Sequence, residues 1–516
     1  MEHNLYTHLR AAFPADLDQL AVEAWSADGS CRGYSWRELD EGSARIARLL
    51  GSLELPAGSR LAVQVEKSVE SMLLYLAALR AGLVYLPLNM AYQPQEMAYF
   101  IGDAEPAVVV CSPDNFGWIS KLAFKAGSAH VFTLAEDGSG SLLERAVHFE
   151  AVQQPVPCAA DDLAAILYTS GTTGRSKGAM LSHRNLLSNA RVLKDYWGWQ
   201  PGDTLIHALP IFHAHGLFVA LHGALLNGSP MLWLARFDPR LVIQLLPRAT
   251  VFMGVPTLYT RLLAEPGLTR EVASHMRLFI SGSAPLLIDT FQAWQQRTGH
   301  TILERYGMSE TVMLTSNPYR ADERHAGQSQ RRGGTVGFPL PGVELRIVGD
   351  DGALLAAGEI GAIQVRGPNV FAGYWRMPEK TRQEFTADGW FRTGDVGQQD
   401  EQGYVTIVGR SKDLIISGGY NVYPAEVEGC LNELPGVQES AVVGVPDPDF
   451  GEVGVALVVP RAGVTLDPAQ LLASLRSRLA NYKIPKRCRV VAELPRNAMG
   501  KVQKQLLREQ LQALSA

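Results

Sequence analysis

Between residues 61 and 281, short apolar runs alternate with segments of helical period, and this pattern limits the fold most. Residues 61–65 read as a strand, 69–81 as a helix stopped at Gly82, 84–88 as a strand, 95–101 as a helix and 106–111 as a strand. Strands separated by helices predict parallel crossover units and a doubly wound α/β sheet. The alternation resumes with strand-like runs at 163–167, 205–209, 251–255 and 278–281. Two such blocks predict two stacked α/β subdomains.

Beyond Gly334 the texture changes. Short alternating strands at 343–348 and 360–365, parted by the turn Asp350-Asp351-Gly352, predict a small antiparallel or β-barrel-like subdomain. The stretch before it, 321–334, is polar and glycine-rich. It is expected to be an exposed loop, disordered in part, with solvated arginines that could touch a phosphate. A third texture begins after Gly409. It holds a strand-like run at 414–416, then Ser417-Gly418-Gly419, a helix from Pro424 and strands near 440–445 and 454–460. A helix over 468–479 and an amphipathic helix over 502–514 follow. Those segments suffice for a small α+β domain. The expected division is an N-terminal domain of residues 1–411 and a small mobile C-terminal domain of residues 412–516.

Composition narrows the class of protein. A net charge of -5 argues against a general nucleic-acid binder. The five cysteines lie far apart with no metal-ligand spacing, and their odd number fits a reducing compartment. The N-terminus has no basic region followed by an apolar core, and no run approaches the ~18 apolar residues of a membrane helix. A cytoplasmic protein without nucleic-acid or membrane partners is expected.

One loop carries concentrated chemistry. The apolar run 163–167 leads into Tyr168-Thr169-Ser170-Gly171-Thr172-Thr173-Gly174-Arg175-Ser176-Lys177-Gly178, and Ser182 could cap a helix starting near His183. A strand, a glycine-rich polar loop and a helix can hold a phosphate: glycines let the backbone approach, hydroxyls and N–H groups donate, and a lysine adds charge. Arg175 follows Gly174 where a Walker A loop has Lys-Ser/Thr, so this is another kind of loop.

That stretch resembles the signature loop of the adenylate-forming enzymes: acyl-CoA synthetases, luciferases and peptide-synthetase adenylation domains. Four more motifs, in order, resemble the same superfamily. Tyr306-Gly307-Met308-Ser309-Glu310 implies a tyrosine near adenine, a hydroxyl at phosphate and a glutamate that holds Mg²⁺. Thr393-Gly394-Asp395 implies a carboxylate that accepts both ribose hydroxyls. Arg410-Ser411-Lys412, with Gly418-Gly419 after it, implies a residue near ribose and phosphate, a hinge at Lys412 and a loop lining the pantetheine tunnel. The run from Pro495 to Gly500-Lys501 implies a lysine that reaches the carboxylate and α-phosphate during adenylation. A cation suits that place, because anion attacks anion there. The resemblance runs from about Leu61 to Arg508. It makes Lys501, Glu310 and Thr169 the expected catalytic set. Thr169, Ser170, Gly171, Thr172, Thr173, Gly174, Lys177, Tyr306, Gly307, Met308, Ser309, Asp395, Arg410, Gly418 and Gly419 become the expected nucleotide and CoA contacts. ATP, Mg²⁺ and coenzyme A are the implied cofactors, and a small carboxylate the implied substrate.

Several stretches resemble malonyl-CoA synthetases in particular, among them Pro210-Ile211-Phe212-His213-Ala214-His215-Gly216, Val255-Pro256-Thr257-Leu258-Tyr259-Thr260-Arg261 and Ser281-Gly282-Ser283-Ala284-Pro285. A dicarboxylate needs a second, fixed cation site, which arginine supplies as a planar fork. Arg261 and Arg305 with the Ser283 hydroxyl form the expected clamp, with His213 beside them. The competing reading of Arg305 is a structural ion pair with Glu304 or Glu310. Ala214 and Val312-Met313-Leu314 are less polar than their counterparts in malonate enzymes, which leaves methylmalonate open. Other readings are a short-chain or aryl acyl-CoA synthetase, a stand-alone adenylation enzyme that loads a separate carrier protein, and a non-catalytic nucleotide-binding regulator.

Overall fold

The computed structural model describes residues 3–26, 29–169, 176–325, 327–417, 420–447, 449–497 and 500–513. Two large sheets form its body. The first has seven strands in the order Gly373–Tyr374, Lys177–Ser182, Leu163–Thr169, Val84–Pro87, Arg60–Gln64, Val108–Cys111 and His130–Thr133. Its members from Leu163–Thr169 to His130–Thr133 run parallel, as the alternation predicts. The second has nine strands. Leu205–His207, Val251–Gly254, Leu278–Ser281 and Leu303–Met308 are its parallel centre.

The sheets do not follow the two blocks read along the chain. The 163–167 run joins the first sheet, and the N-terminal strands Leu20–Trp25 and Cys31–Ser35 close one edge of the second. One continuous core spans both sheets. The helix Val69–Arg80 lies within it, and every one of its residues is buried. Its apolar run has no polar face, which suits only such a position.

The glycine-rich loop is placed differently from the sequence reading. It joins two antiparallel strands, Leu163–Thr169 and Lys177–Ser182, with Thr169 opposite Lys177. The helix His183–Tyr196 begins only after the second strand. Ser182 caps it as expected, accepting from the Asn185 amide at 3.1 Å while the Asn185 side chain accepts from the Ser182 amide at 2.9 Å. Residues 177–182 contain no β-branched or aromatic side chain, so local propensity hides this strand and pairing with 163–169 makes it.

The small antiparallel sheet appears where expected, from Glu344–Val348, Gly361–Arg366, Phe391–Gln399 and Val405–Arg410. The 321–334 stretch differs from the solvated loop expected. Asp322 is buried, accepts from the Tyr196 hydroxyl at 3.0 Å and pairs with Arg324 at 2.6 Å. Arg331 donates to two main-chain carbonyls, and Arg332 lies 3.2 Å from Asp400. Internal acceptors hold these arginines where the sequence reading put water.

Beyond Lys412, a further sheet joins Ile415–Ser417, Tyr420–Val422, Val437–Asp447, Gly451–Pro460 and Arg487–Val490, with apolar clusters of its own. Helix Pro468–Leu475 is shorter than predicted, and Lys504–Ala513 buries Leu507 and Leu511, four residues apart, on this sheet. Among the described residues, no helix is long and apolar enough to cross a membrane.

Candidate active site

The strand Leu303–Met308 organises the site. Its second half pairs with Val312–Ser316 in a hairpin whose turn carries Ser309 and Glu310. A side chain at Gly307 would sit 1.8 Å from the Val312 carbonyl oxygen, so only glycine fits. Val312 itself has φ 55°, a left-handed value unusual for a β-branched residue and held here by the hairpin.

Tyr306 donates its hydroxyl to Asp395. Asp395 is 3% exposed, and its other oxygen lies 2.7 Å from Arg410 Nε. Asp395 and Arg410 are register partners on adjacent strands, which fixes that pair. Glu310 is buried, which raises its pKa; the hydrogen bond it accepts from Tyr374 at 2.9 Å, Lys177 and Arg410 oppose the rise. Lys177 stands 4.3 Å over the Tyr374 ring and 3.5 Å from Glu384. Thr169 donates to the Lys177 carbonyl at 3.4 Å, at the root of the glycine-rich loop. Ser170, Gly171, Thr172, Thr173 and Gly174 lie outside the described residues, as do Gly418 and Gly419.

Lys501 comes from the C-terminal part of the chain, is itself exposed, and stands within electrostatic reach of this group. The Lys501 amide donates to the Asn497 side chain at 3.0 Å. Gly500 has φ 74°, and a Cβ there would meet Thr257 Oγ1 at 3.0 Å, so the turn needs glycine both for its hand and its closeness. Crowding by the surrounding protein lowers the Lys501 pKa, and so do Arg410 and Arg305, while Asp395 and Glu310 raise it. Four of the five motifs therefore meet in one electrostatic neighbourhood.

Arg305 is the strongest feature. It is 2% exposed, and its Nε and Nη2 have no hydrogen-bond partner among the described residues. Burial lowers its pKa to about 9. Gly282 makes room for it: a Cβ there would lie 2.5 Å from the guanidinium carbon. Neither carboxylate proposed as its partner serves. Glu304 accepts from the Leu286 amide at 3.1 Å, and burial raises its pKa to about 8; Glu310 accepts from Tyr374.

His213, His215 and Ser283 flank Arg305. Ser283 Oγ is 3.3 Å from His215 Nδ1, and the His215 amide donates to His213 Nδ1 at 3.3 Å. Burial, then Lys501 and Arg305, push the His213 pKa down to about 3, so the ring is neutral beside a free cation. His215 opens a π-helix, His215–Leu221. Arg261 stands on another element. It is exposed on helix Pro256–Ala264 at a cavity of about 540 Å³, whose lining does not include Arg305, Ser283 or His213.

Sequence reasoning gave no individual role to three residues, although Gly282 lies in a quoted stretch. Tyr374 holds Glu310, Gly282 seats Arg305, and Lys67 braces the 540 Å³ cavity by donating to the carbonyls of His207 and Leu234, each at 2.8 Å. None has a spacing that marks it. Gly282 alone could have been questioned, since it interrupts the polar run that follows an apolar strand. Lys412 lies in the short turn Ser411–Asp413 between the small antiparallel sheet and the C-terminal one. Ser411 donates to the Gly394 carbonyl at 3.1 Å, and Asp413 is 3.7 Å from Arg508.

Known proteins match this arrangement. The AMP-binding enzyme family matches residues 13–375, and its C-terminal domain matches residues 426–501. A malonate–CoA ligase of Arabidopsis thaliana is 34% identical over 96% of this chain and 86% of its own. A feruloyl-CoA synthase of an Amycolatopsis species is 35% identical over 96% of this chain and 97% of its own. MatB of Rhodopseudomonas palustris, solved with ATP bound, is 53% identical with complete coverage of both chains and a TM-score of 0.94. Its apo structure, at the same identity and coverage, gives 0.84. The chain described here is thus nearer the ATP-bound arrangement, in keeping with Lys501 within electrostatic reach of the site. Matched over most of its length by that family, and similar to these relatives nearly from end to end, this chain belongs to the AMP-binding enzyme family.

Proposed function

We propose that this enzyme joins malonate to coenzyme A, consuming ATP through malonyl-adenylate and releasing pyrophosphate and then AMP. The observation that carries the choice of acid is the buried Arg305 guanidinium, whose Nε and Nη2 have no partner among the described residues. A buried charge without a partner is costly, so such a group implies an anion supplied by the ligand. The second carboxylate of a short diacid is that anion. Ser283 can donate to it, and neutral His213 adds no competing charge. The identity to the malonate–CoA ligase supports the reading; the feruloyl-CoA synthase relative makes the acid the point to test.

The residues divide the chemistry. Asp395 and Tyr306 hold the nucleoside, and Arg410 fixes the Asp395 carboxylate. Lys501 offsets the repulsion between the attacking carboxylate oxygen and the α-phosphate, and the charge that grows as pyrophosphate leaves. Glu310, whose burial leaves its charge poorly compensated, suits Mg²⁺ carried on ATP. The described residues build no cluster of three or more metal-binding side chains, so phosphate oxygens would supply most ligands. When bound, the ion neutralises phosphate charge. For the second step Lys501 must withdraw so that the CoA thiolate can attack the acyl carbon and expel AMP. We place the pivot at Lys412, with residues 412–516 moving as the lid and Gly418-Gly419 replacing Lys501 beside the thiol path. Ala214 and Val312-Met313-Leu314, less polar than their counterparts in malonate enzymes, leave methylmalonate open as a second substrate.

Pyrophosphate release tests the proposal, measured with ATP and malonate, butyrate or ferulate, each with and without CoA. Malonate should give adenylate alone and a sustained CoA-dependent turnover. Equal turnover of butyrate or ferulate would place the enzyme among short-chain or aryl ligases. Adenylation without any response to CoA would favour the loading of a carrier protein, and no pyrophosphate with any acid would favour a regulator.

A further inference from the structure

A second hollow, of about 740 Å³, lies away from the ATP site. Among the described residues its lining includes Arg277, Arg331, Arg332 and His300, and no carboxylate. Two of the arginines are neutralised from behind: Arg277 lies 2.6 Å from Asp203 and Arg332 lies 3.2 Å from Asp400. Arg331 is different. Its Nη1 donates to the Thr301 carbonyl at 2.8 Å and its Nε to the Pro318 carbonyl at 3.2 Å, and it has no carboxylate partner among the described residues. Burial lowers its pKa, Tyr319 opposes the fall and the neighbouring Arg277 adds to it. The Tyr319 ring stands beside both cations, 4.8 Å from the Arg277 guanidinium carbon and 5.7 Å from that of Arg331.

A guanidinium needed only to tie two carbonyls would not require an open, acid-free hollow with further donors around it. Gln295, exposed on helix Ile288–Thr298, and the exposed Ser329 and Gln330 are positioned to supply those donors. The three arginines also come from two separate parts of the chain, and the polar 321–334 stretch contributes two of them. Three cations face two carboxylates, which leaves one positive charge for a ligand.

We propose that this hollow binds a small multivalent anion, bearing phosphate or several carboxylates, with Arg331 as its principal contact. Arg331 is bonded to Thr301, two residues before the strand that carries Arg305 and Tyr306, and none of the hollow's lining residues belongs to the active site described above.

Calorimetric titration of the full-length protein tests this, with ATP at saturation and no acid present, so that the nucleotide site is filled. Inorganic phosphate and citrate are the two probes and separate the two ligand chemistries. At least one should bind saturably at one site. Arg331→Met should weaken it about tenfold or more, the scale of one charge-assisted hydrogen bond. Gln295→Glu, an exposed and nearly isosteric change, should do the same by placing a fixed carboxylate in the hollow. Arg305→Met should leave it unchanged. Absence of saturable binding by either probe, undiminished binding in both hollow variants, or loss in Arg305→Met would each overturn the proposal.

Discussion

Glu304 and Arg305 are neighbours on one strand, both are buried, and they do not pair. The two-residue period of a strand turns them to opposite faces. Glu304 meets the Leu286 amide, and Arg305 meets Gly282 and the histidines. Two ionisable groups that could have neutralised each other are thus kept apart. Arg305 keeps its charge for something that enters from outside.

The stability of Arg305→Met follows from that separation. Methionine keeps much of the bulk and removes a buried charge that has no carboxylate partner among the described residues. A group that served the fold would destabilise the protein when lost, by roughly 3–5 kcal/mol for a broken buried pair. Here the urea midpoint of the ligand-free variant should equal or exceed that of the wild type. A clear fall would mean that Arg305 is a structural residue.

Lys501→Ala should abolish adenylate formation and largely spare thioester formation from supplied malonyl-adenylate. Its charge is needed only where carboxylate meets α-phosphate, and electrostatic effects of this kind are typically ~10²–10³-fold per group. The two half-reactions measured separately check this. Equal loss in both would remove Lys501 from the adenylation step.

Lys412→Pro addresses the proposed pivot. Proline fixes φ near −65°, so it restricts the turn Ser411–Asp413. Because the described arrangement already places Lys501 within electrostatic reach of the site, adenylation should survive and thioester formation should slow. Wild-type rates in both half-reactions would put the pivot elsewhere.

Much of this site was legible in the sequence because its motifs are local. Tyr306 through Glu310, Thr393 through Asp395 and Gly500-Lys501 each occupy one turn, and a turn needs its residues in order. What was not legible depends on distant pairing. Residues 177–182 become a strand only beside 163–169, and residues 20–25 close a sheet whose next strand is 231–234. The arginines of 321–334 looked solvated because Thr301, Pro318 and Asp400, which hold them, lie elsewhere in the chain. Arg261 shares its chemistry with Arg305, but it is exposed on helix Pro256–Ala264 while Arg305 is buried on the strand Leu303–Met308.

Acid should weaken the protein through its buried neutral histidines. His222 is fully buried, with Nε2 2.8 Å from the Tyr75 hydroxyl, and burial lowers its pKa from 6.5 to about 3. The neutral ring favours the folded state at neutral pH. That contribution is complete above the unfolded value of 6.5 and drains as pH falls toward 3. At pH 5 the loss from one such histidine is about 2 kcal/mol. The urea midpoint should therefore fall between pH 7 and pH 5, and it should fall by less in His222→Gln, which cannot titrate. An identical fall in both proteins would remove His222 from the acid response.

The choice between one carboxylate and two is tested most directly by the ratio of kcat/KM for malonate to that for butyrate, in the wild type and in Arg305→Met. A site whose buried cation awaits a ligand charge rejects an analogue lacking it, by as much as ~10⁴ when the polar group is left unpaired. The wild type should prefer malonate by at least ~10²-fold. Arg305→Met should lose roughly 2–5 kcal/mol on malonate, the scale for truncating one partner of a buried charge pair, and little or nothing on butyrate. The ratio should thus collapse through the malonate arm alone. A wild type that activates butyrate as well as malonate, or an Arg305→Met variant that keeps the wild-type ratio, would contradict the account.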